Sequence, residues 1–233
     1  MNRKIDRRHN YMIVLDTETA NTIMEDDGKM CMNYVLPYDF GWCVMDTMGN
    51  VYEKRSFIDS DIFYDEPDLM TSAYYSAKIP MYEREIAEGK RIVANTYNIR
   101  KALLDDIATY EAKILMAHNA RFDCRAMNNI QRWTTKSKYR YFLPKDIEIW
   151  DSMKMARSVI HKMPTYRKFC EKHGLLTATG KLSTTAENLY RFITKNPDFV
   201  ESHTGLEDVE IEKEIFLYCK RQHKPMVKKL WEN

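Results

Sequence analysis

The sequence of 233 residues predicts an α/β fold, and three observations indicate it. The run Met-Ile-Val-Leu at residues 12–15 has the continuous hydrophobicity of a strand that is buried on both faces. Two more strand patterns, at residues 38–45 and 51–58, flank a Met-Gly-Asn turn that is typical of a hairpin. From residue 96 onward, helical periodicity alternates with short apolar strands. This alternation predicts a sheet with helices packed against it.

The first predicted strand ends in two acids, Asp16 and Glu18. Side chains at positions i and i+2 of a strand project from the same face, so these carboxylates should lie side by side. Neighbouring carboxylates repel each other, and a hard divalent cation between them relieves the repulsion. The simpler alternative is a strand end that reaches water and carries two solvated acids.

Two predicted helices each place a further acid on an inward face. Asp123 heads the apolar stripe of the helix that follows a short strand at residues 114–117. Asp208 occupies a similar position in the last long helix, where Thr204 and Glu207 have capping-box spacing and His203 comes just before. The helix dipole would explain where Asp123 lies along its helix but not which face it occupies. Burying an unpaired carboxylate is costly, so we expect a cation or hydrogen-bond donors near each acid.

Four inward acids and a neighbouring histidine are the groups that two-metal cleavage of a phosphodiester requires. Two Mg²⁺ or Mn²⁺ ions held by shared carboxylates activate a water and stabilise the leaving oxygen. A histidine that titrates near neutrality can take the proton from that water. The sequence therefore predicts a hydrolase with two divalent cations, Mg²⁺ or Mn²⁺, as cofactors.

The same residues resemble a known family. Asp-Thr-Glu-Thr at residues 16–19, His-Asn-Ala-Arg-Phe-Asp at residues 118–123, and His203 followed by Asp208 look like the three motifs of the DEDDh 3'-5' exonucleases. That family includes the proofreading epsilon subunit of bacterial DNA polymerase III, ribonuclease T and oligoribonuclease. The resemblance implies a ribonuclease H-like fold, a mixed β-sheet flanked by helices. Residues 59–95, which mix acids and aromatics with two prolines, predict a helical or irregular insertion after the third strand. The resemblance also implies hydrolysis from the 3' end with release of nucleoside 5'-monophosphates.

The resemblance implies a role for each matching residue. The expected metal ligands are Asp16, Glu18, Asp123 and Asp208. Asp123 would act largely through water, and His203 would be the general base that completes the catalytic set. Thr19 and Asn119 would contact the terminal nucleotide.

The sequence departs from the family pattern in three places. Ala20-Asn21 stands where the family often has Thr-Gly, and Gly205 and Val209 stand where it favours alanine. The segment between the first two motifs is longer than in compact members, so we expect residues 59–95 to be an insertion. No expected catalytic position is lost, so the differences bear on substrate and partner.

Three short patterns have structural interpretations. Asp151 precedes a predicted helix and is expected to be its N-cap. Cys170 and His173 have half of a zinc-site spacing with no second half nearby, so we expect both to pack. Thr184 and Glu187 have the spacing of a capping box.

The composition indicates a globular protein, with 44% hydrophobic and 30% charged residues. The predicted organisation is a basic N-terminal tail at residues 1–10, an exonuclease domain at 11–222 and a basic C-terminal tail at 223–233. Five scattered cysteines favour reduced thiols and no disulfides. With no signal or membrane-spanning segment evident in the sequence, a cytoplasmic protein without a membrane partner is expected.

The net charge is only +2, so affinity for nucleic acid must come from local basic patches. Such patches occur at residues 3–8, at 132–140 with interleaved aromatics, and at 220–229. The stretch from Trp133 to Phe142 could stack on bases, although a solvated surface linker is the simpler interpretation. Single-stranded nucleic acid is the expected partner, with DNA favoured. The alternatives are RNA trimming, as in ribonuclease T or oligoribonuclease, and a non-catalytic module that binds nucleic acid and recruits a replication or repair protein.

Overall fold

The computed structural model describes residues 5–6, 8–26, 29–74 and 76–231. Its six strands are Tyr11–Ala20 (β1), Leu36–Asp46 (β2), Val51–Asp59 (β3), Ile92–Ala94 (β4), Ile114–Ala117 (β5) and Glu148–Asp151 (β6). They form one sheet in the order β4-β3-β2-β1-β5-β6. The first three strands are antiparallel neighbours, whereas β4 runs parallel to β3, β5 to β1 and β6 to β5. The predicted α/β fold with a mixed sheet is confirmed.

Nine α-helices surround the sheet in the described part of the chain. They are Ser60–Phe63 (α1), Pro67–Thr71 (α2), Ile79–Ala87 (α3), Thr96–Thr109 (α4), Arg121–Thr135 (α5), Ser152–Val159 (α6), Pro164–His173 (α7), Ala186–Thr194 (α8) and Gly205–Arg221 (α9). Short 3₁₀ turns cover Ser76–Lys78 and Ile160–Lys162. Among the described residues, no helix combines the length and the apolar character that crossing a bilayer would need.

Strand β1 lies at the centre of the sheet and is buried on both faces. Ile13 and Leu15 belong to a core that includes residues of α4 and α5, while Met12 and Val14 belong to a second core with α6 and α9. All four side chains are fully buried. The apolar run therefore fixes β1 between two layers of helices, and the acids that follow it emerge at the end of the central strand.

The expected insertion contains helices α1 to α3 and also a strand. Because β4 pairs with β3, this segment extends the sheet by one edge strand. The carboxylate of Asp59 caps α1 by accepting from the Asp61 N–H, and it also accepts a hydrogen bond from Thr96 of α4. The segment is thus fastened to the sheet at both of its ends.

The short patterns mostly have their expected structural roles. Asp151 accepts from the N–H of Met153 at 2.9 Å and so caps α6. Cys170 is buried, and the ring of His173 lies 4.6 Å from that of Phe169. The predicted N-cap of α8 is wrong by one residue. The N-cap is Thr185 and not Thr184, and the Thr185 hydroxyl accepts from the backbone N–H of Asn188 at 3.4 Å. All five cysteines lie in described parts of the chain and are free thiols.

The structure describes more of the basic C-terminal tail than of the basic N-terminal tail. In the expected N-terminal tail, Arg3, Lys4 and Arg7 lie outside the described residues. The expected C-terminal tail runs along β6, where the N–H of Leu230 donates to the carbonyl of Ile149 at 2.9 Å. Leu230 is buried, so the described part of this segment packs against the domain.

Candidate active site

The two acids of β1 lie beside a local irregularity of the sheet. Asp16 is paired with Gly41 of β2 and Glu18 with Asp39, and the register shifts between Glu18 and Thr19. Bulges of this kind bend a strand and redirect its side chains. The predicted arrangement holds: Asp16 and Glu18 project from the face on which α9 packs.

Two glycines allow α9 to approach the sheet closely enough to reach those acids. A Cβ on Gly41 would lie 2.1 Å from the carbonyl carbon of Gly205, and a Cβ on Gly205 would lie 2.7 Å from the backbone N of Gly41. Both contacts are with backbone, which cannot move aside. Gly205, which departs from the family pattern, is therefore required by the close packing of α9 on β2.

This packing brings three of the predicted site residues together. Possible ligand atoms of Glu18, His203 and Asp208 all lie within 4.8 Å of one another. Burial and then the charge of Asp208 raise the pKa of Glu18 to about 9, and burial and then Glu201 raise that of Asp208 to about 8. Burial and then Asp123 raise the pKa of Asp16 well above its usual range. Without a cation these acids therefore retain protons at neutral pH, and they ionise together only when positive charge is bound among them.

Asp123 is buried at the first turn of α5, on the inward face that the sequence predicts. Its Oδ1 accepts a hydrogen bond of 2.8 Å from the hydroxyl of Thr17, which points to the opposite face of β1 from Asp16. Burial raises the pKa of Asp123 to about 7, and Thr17 partly offsets this. The Thr17 hydroxyl is therefore one of the hydrogen-bond donors that the sequence predicts near Asp123.

His203 adopts a left-handed backbone conformation, with φ of 50°, just before α9. Its Nδ1 lies 3.7 Å from Oε2 of Glu201. Ligand atoms of Glu187, Glu201 and His203 form a second group within 4.8 Å. Burial and then the charge of Lys78 lower the pKa of His203, so the ring is neutral at neutral pH and able to accept a proton.

The insertion contributes directly to this corner of the site. Lys78, in the 3₁₀ turn before α3, donates from Nζ to the backbone carbonyls of Ser202 and His203. Its charge also lowers the pKa of Glu18 and Asp208. Sequence analysis assigns no role to residues 59–95, and no local pattern marks this lysine.

A second contact between the insertion and α9 passes through Asp39. This fully buried carboxylate accepts from the N–H of Gly205 at 3.0 Å, the hydroxyl of Tyr82 at 2.9 Å and Nη1 of Arg91 at 3.1 Å. Nη2 of Arg91 donates to Glu207 at 3.1 Å. The predicted capping box at Thr204 is wrong in detail, because the Thr204 side chain makes no capping bond and Asp39 supplies the carboxylate instead.

Glu212 is another acid of the site that the sequence reasoning missed. It lies one turn after Asp208 on the same face of α9 and is 2% exposed. Its charge raises the pKa of Asp16. The four-residue spacing from Asp208 is the signal that could have found it.

The expected nucleotide contacts lie at the edge of the site. Thr19 is buried at the end of β1, and Asn119 is exposed just before α5, with its N–H bound to Asp151 at 3.1 Å. Asn119 also lines a small cavity of about 130 Å³ with Met32, Arg121, Phe122 and Arg125.

Basic residues continue from this cavity along the outer face of α5. We call Arg121, Arg125, Arg132, Trp133 and Lys136 the α5 stripe. The guanidinium of Arg121 lies 5.5 Å from the ring centre of Trp231, and the ammonium of Lys136 lies 4.6 Å from that of Trp133. Within the predicted aromatic stretch, Tyr139 is exposed but Phe142 is buried against Phe40, so Phe142 cannot stack on bases.

The donor set fits a divalent cation. Hard cations such as Mg²⁺ and Mn²⁺ bind carboxylate oxygens, which Asp16, Glu18 and Asp208 supply here. One carboxylate oxygen of Glu212 is buried and has no hydrogen-bond partner among the described residues. Buried negative charge and an unpartnered oxygen are what a bound cation would relieve.

Comparisons with known proteins agree with this fold. No protein-family model matches the sequence, and no curated protein does either. The structure is similar to crystal structures of exonuclease I. These include a product-bound structure (18% identity, TM-score 0.57), Escherichia coli exonuclease I with a dT13 oligonucleotide (16%, 0.55) and a moderately thermophilic exonuclease I from Methylocaldum szegediense (15%, 0.57).

The alignments cover 89% to 92% of this chain but only 41% to 42% of the exonuclease I chains. The chain therefore spans about two fifths of the length of those proteins. At such low identities the similarity establishes the fold. The chain has the ribonuclease H-like fold of exonuclease I.

Proposed function

We propose that the protein is a metal-dependent 3'-5' exonuclease that hydrolyses single-stranded DNA and releases nucleoside 5'-monophosphates. The observation that carries the proposal is the convergence of Glu18, His203 and Asp208, from distant parts of the sequence, within 4.8 Å. A buried group of acids lowers the stability of a fold, and groups with such perturbed pKa values cluster at functional sites.

The chain's residues would divide the reaction between them. Asp16, Glu18 and Asp208 would hold two Mg²⁺ or Mn²⁺ ions, with Asp123 acting largely through water. When bound, such ions lower the pKa of an attacking water and stabilise the leaving oxygen. His203 would take the proton of that water, because its lowered pKa keeps the ring neutral at neutral pH.

Glu201 would support His203 in this role. Its Oε2 faces Nδ1 of His203 at 3.7 Å, so its charge would stabilise the imidazolium that forms when the ring accepts a proton. Lys78 would fix the position of the ring through the backbone carbonyl of His203.

The surface around the site suits a single strand. Thr19 and Asn119 would contact the terminal nucleotide, and the α5 stripe would bind the preceding nucleotides through phosphate contacts and stacking. Similar structures hold E. coli exonuclease I in complex with dT13 and dA16 oligonucleotides, which favours DNA over RNA as the substrate.

The test is digestion of matched single-stranded DNA and RNA oligonucleotides, labelled at the 5' end, with Mg²⁺ or Mn²⁺. The wild type should produce a ladder that shortens from the 3' end, with DNA degraded faster, and Asp16→Ala should produce none. Faster degradation of RNA would replace the substrate part of the proposal. If both proteins bind the strands and leave them intact, the chain is a non-catalytic binding module.

A further inference from the structure

Glu212 occupies a position in α9 where an apolar residue is expected. Its neighbours on the same helix face, Val209 and Ile215, are buried in the core, and Glu212 itself is 2% exposed. A carboxylate at such a position is costly unless both of its oxygens have partners. The contacts of the two carboxylate oxygens therefore indicate the role of Glu212.

Only one oxygen of Glu212 has a hydrogen-bond partner in the structure as described. Oε1 accepts from the backbone N–H of His118 at 2.7 Å and so ties α9 to the end of β5. Oε2 is fully buried and receives no hydrogen bond from any described residue. The fastening of β5 needs one oxygen, and an uncharged acceptor would provide it equally well.

The surroundings of Glu212 are negative. Burial and then the charges of Asp123, Asp208 and Glu201 raise its pKa well above the usual range, and Glu212 in turn raises the pKa of Asp16. Every residue in this group belongs to the site or borders it. The parallel register of β1 and β5 pairs Val14 with Met116, so His118, just past the end of β5, lies level with Asp16. Glu212, bonded to the His118 N–H and one turn from Asp208, therefore lies beside the groups that would hold a divalent cation.

We propose that Glu212 is a fifth carboxylate of the metal centre, in which Oε1 holds the end of β5 and Oε2 binds a divalent cation that it shares with Asp16. The proposal rests on the proposed function, since it requires that a cation bind at this site. It adds a ligand on α9 one turn beyond Asp208, so that a single helix would supply two carboxylates to the centre.

Glu212→Gln tests the proposal because the amide keeps an acceptor for the His118 N–H but removes the negative charge. Glu214→Gln is the matched control, since Glu214 lies on the same helix and is part-exposed beside Arg221. Each protein is titrated with Mn²⁺ alone by calorimetry, and the increase in thermal midpoint over a chelated sample is measured. No nucleic acid is present, so the readout does not depend on activity.

The proposal predicts that Glu212→Gln lowers Mn²⁺ affinity at least about tenfold, with a smaller thermal increase, while Glu214→Gln matches the wild type. Affinity of Glu212→Gln within about twofold of the wild type would overturn it and leave Glu212 as a structural residue. A chelated Glu212→Gln that fails to fold would also overturn it, because a charge that serves the metal is not needed for folding without metal. Absence of Mn²⁺ binding by the wild type would instead refute the proposed function itself.

Discussion

The ammonium of Lys78 donates to the backbone carbonyl of His203 at 3.2 Å. The two residues come from different parts of the fold, since Lys78 belongs to the insertion that follows β3 and His203 precedes α9. The insertion thus holds the loop that carries the candidate base. Its helices are therefore part of the structure that positions the site.

Replacing Lys78 by Met should reduce activity at neutral pH by roughly tenfold. This loss is smaller than the full rate enhancement that a general base provides, because His203 is still present. The charge of Lys78 lowers the pKa of His203, so its removal should raise that pKa. The acidic limb of the pH–rate profile should then shift to higher pH. Lys90→Met is the control, because Lys90 pairs with Glu88 on the exposed side of the same segment. An unshifted limb in the Lys78 variant would contradict the assignment.

Gly41→Ala should destabilise the protein by about 1–3 kcal/mol and abolish most activity. The added Cβ would lie 2.1 Å from backbone atoms of Gly205 and Leu206, so the start of α9 must move away from β1. Chemical denaturation and activity per folded molecule measure the two effects. Gly89→Ala has open space around the new Cβ but strains a left-handed backbone, with φ of 71°, so it should cost some stability and keep full activity per folded molecule. An active Gly41→Ala would show that the close approach of α9 is unnecessary.

The metal-free protein should lose stability as the pH rises between about 4 and 9. Burial raises the pKa of Asp123 to about 7, of Asp208 to about 8 and of Glu18 to about 9, whereas unfolded acids titrate near 4. The folded state therefore binds more protons in this window, and the free energy of unfolding falls with increasing pH.

Thermal midpoints at about pH 6 and about pH 8.5 in chelator measure this dependence, and added Mn²⁺ should largely remove it. Asp208→Asn should show a weaker dependence than the wild type. A chelated wild type that is more stable at the higher pH would contradict the electrostatic description of the site.

Arg125→Ala should weaken binding of long single strands and lower the slope of log affinity against log salt concentration by about one. Arg125 is an exposed member of the α5 stripe and lines the cavity next to Asn119. Hydrolysis of a dinucleotide, which is too short to reach along α5, should change little. Lys172→Ala on the exposed face of α7 is the control and should leave both measurements unchanged. If Arg125→Ala and the wild type have equal slopes of log affinity against log salt concentration, the α5 stripe is not part of the binding surface.

The residues that sequence analysis identified are those marked by a local pattern. Asp16 and Glu18 follow a run that could only be a buried strand, and Asp123 and Asp208 interrupt the apolar faces of helices. Such positions follow from periodicity and need no knowledge of the tertiary structure. The burial of β1 and the hairpin of β2 and β3 follow from the same patterns, whereas the edge strand β4 does not.

The residues that sequence analysis missed depend on contacts between distant segments. Lys78 and Arg91 reach the start of α9 only because β4 folds the insertion back against β3. In the sequence Asp39 looks like an ordinary strand residue. Its role depends on the hydrogen bond that it accepts from the N–H of Gly205. Buried ionic networks of this kind have no period in the sequence, so spacing alone cannot locate them.

The most direct test of the central claim is the identity of the first product released from a DNA strand labelled in its 3'-terminal nucleotide. With Mn²⁺ the wild type should release labelled nucleoside 5'-monophosphate, and Asp208→Asn or a chelated sample should release none. Release of labelled oligonucleotides, of a nucleoside 3'-monophosphate, or of the same product from chelated enzyme would contradict a metal-dependent 3'-5' exonuclease built on Glu18, His203 and Asp208.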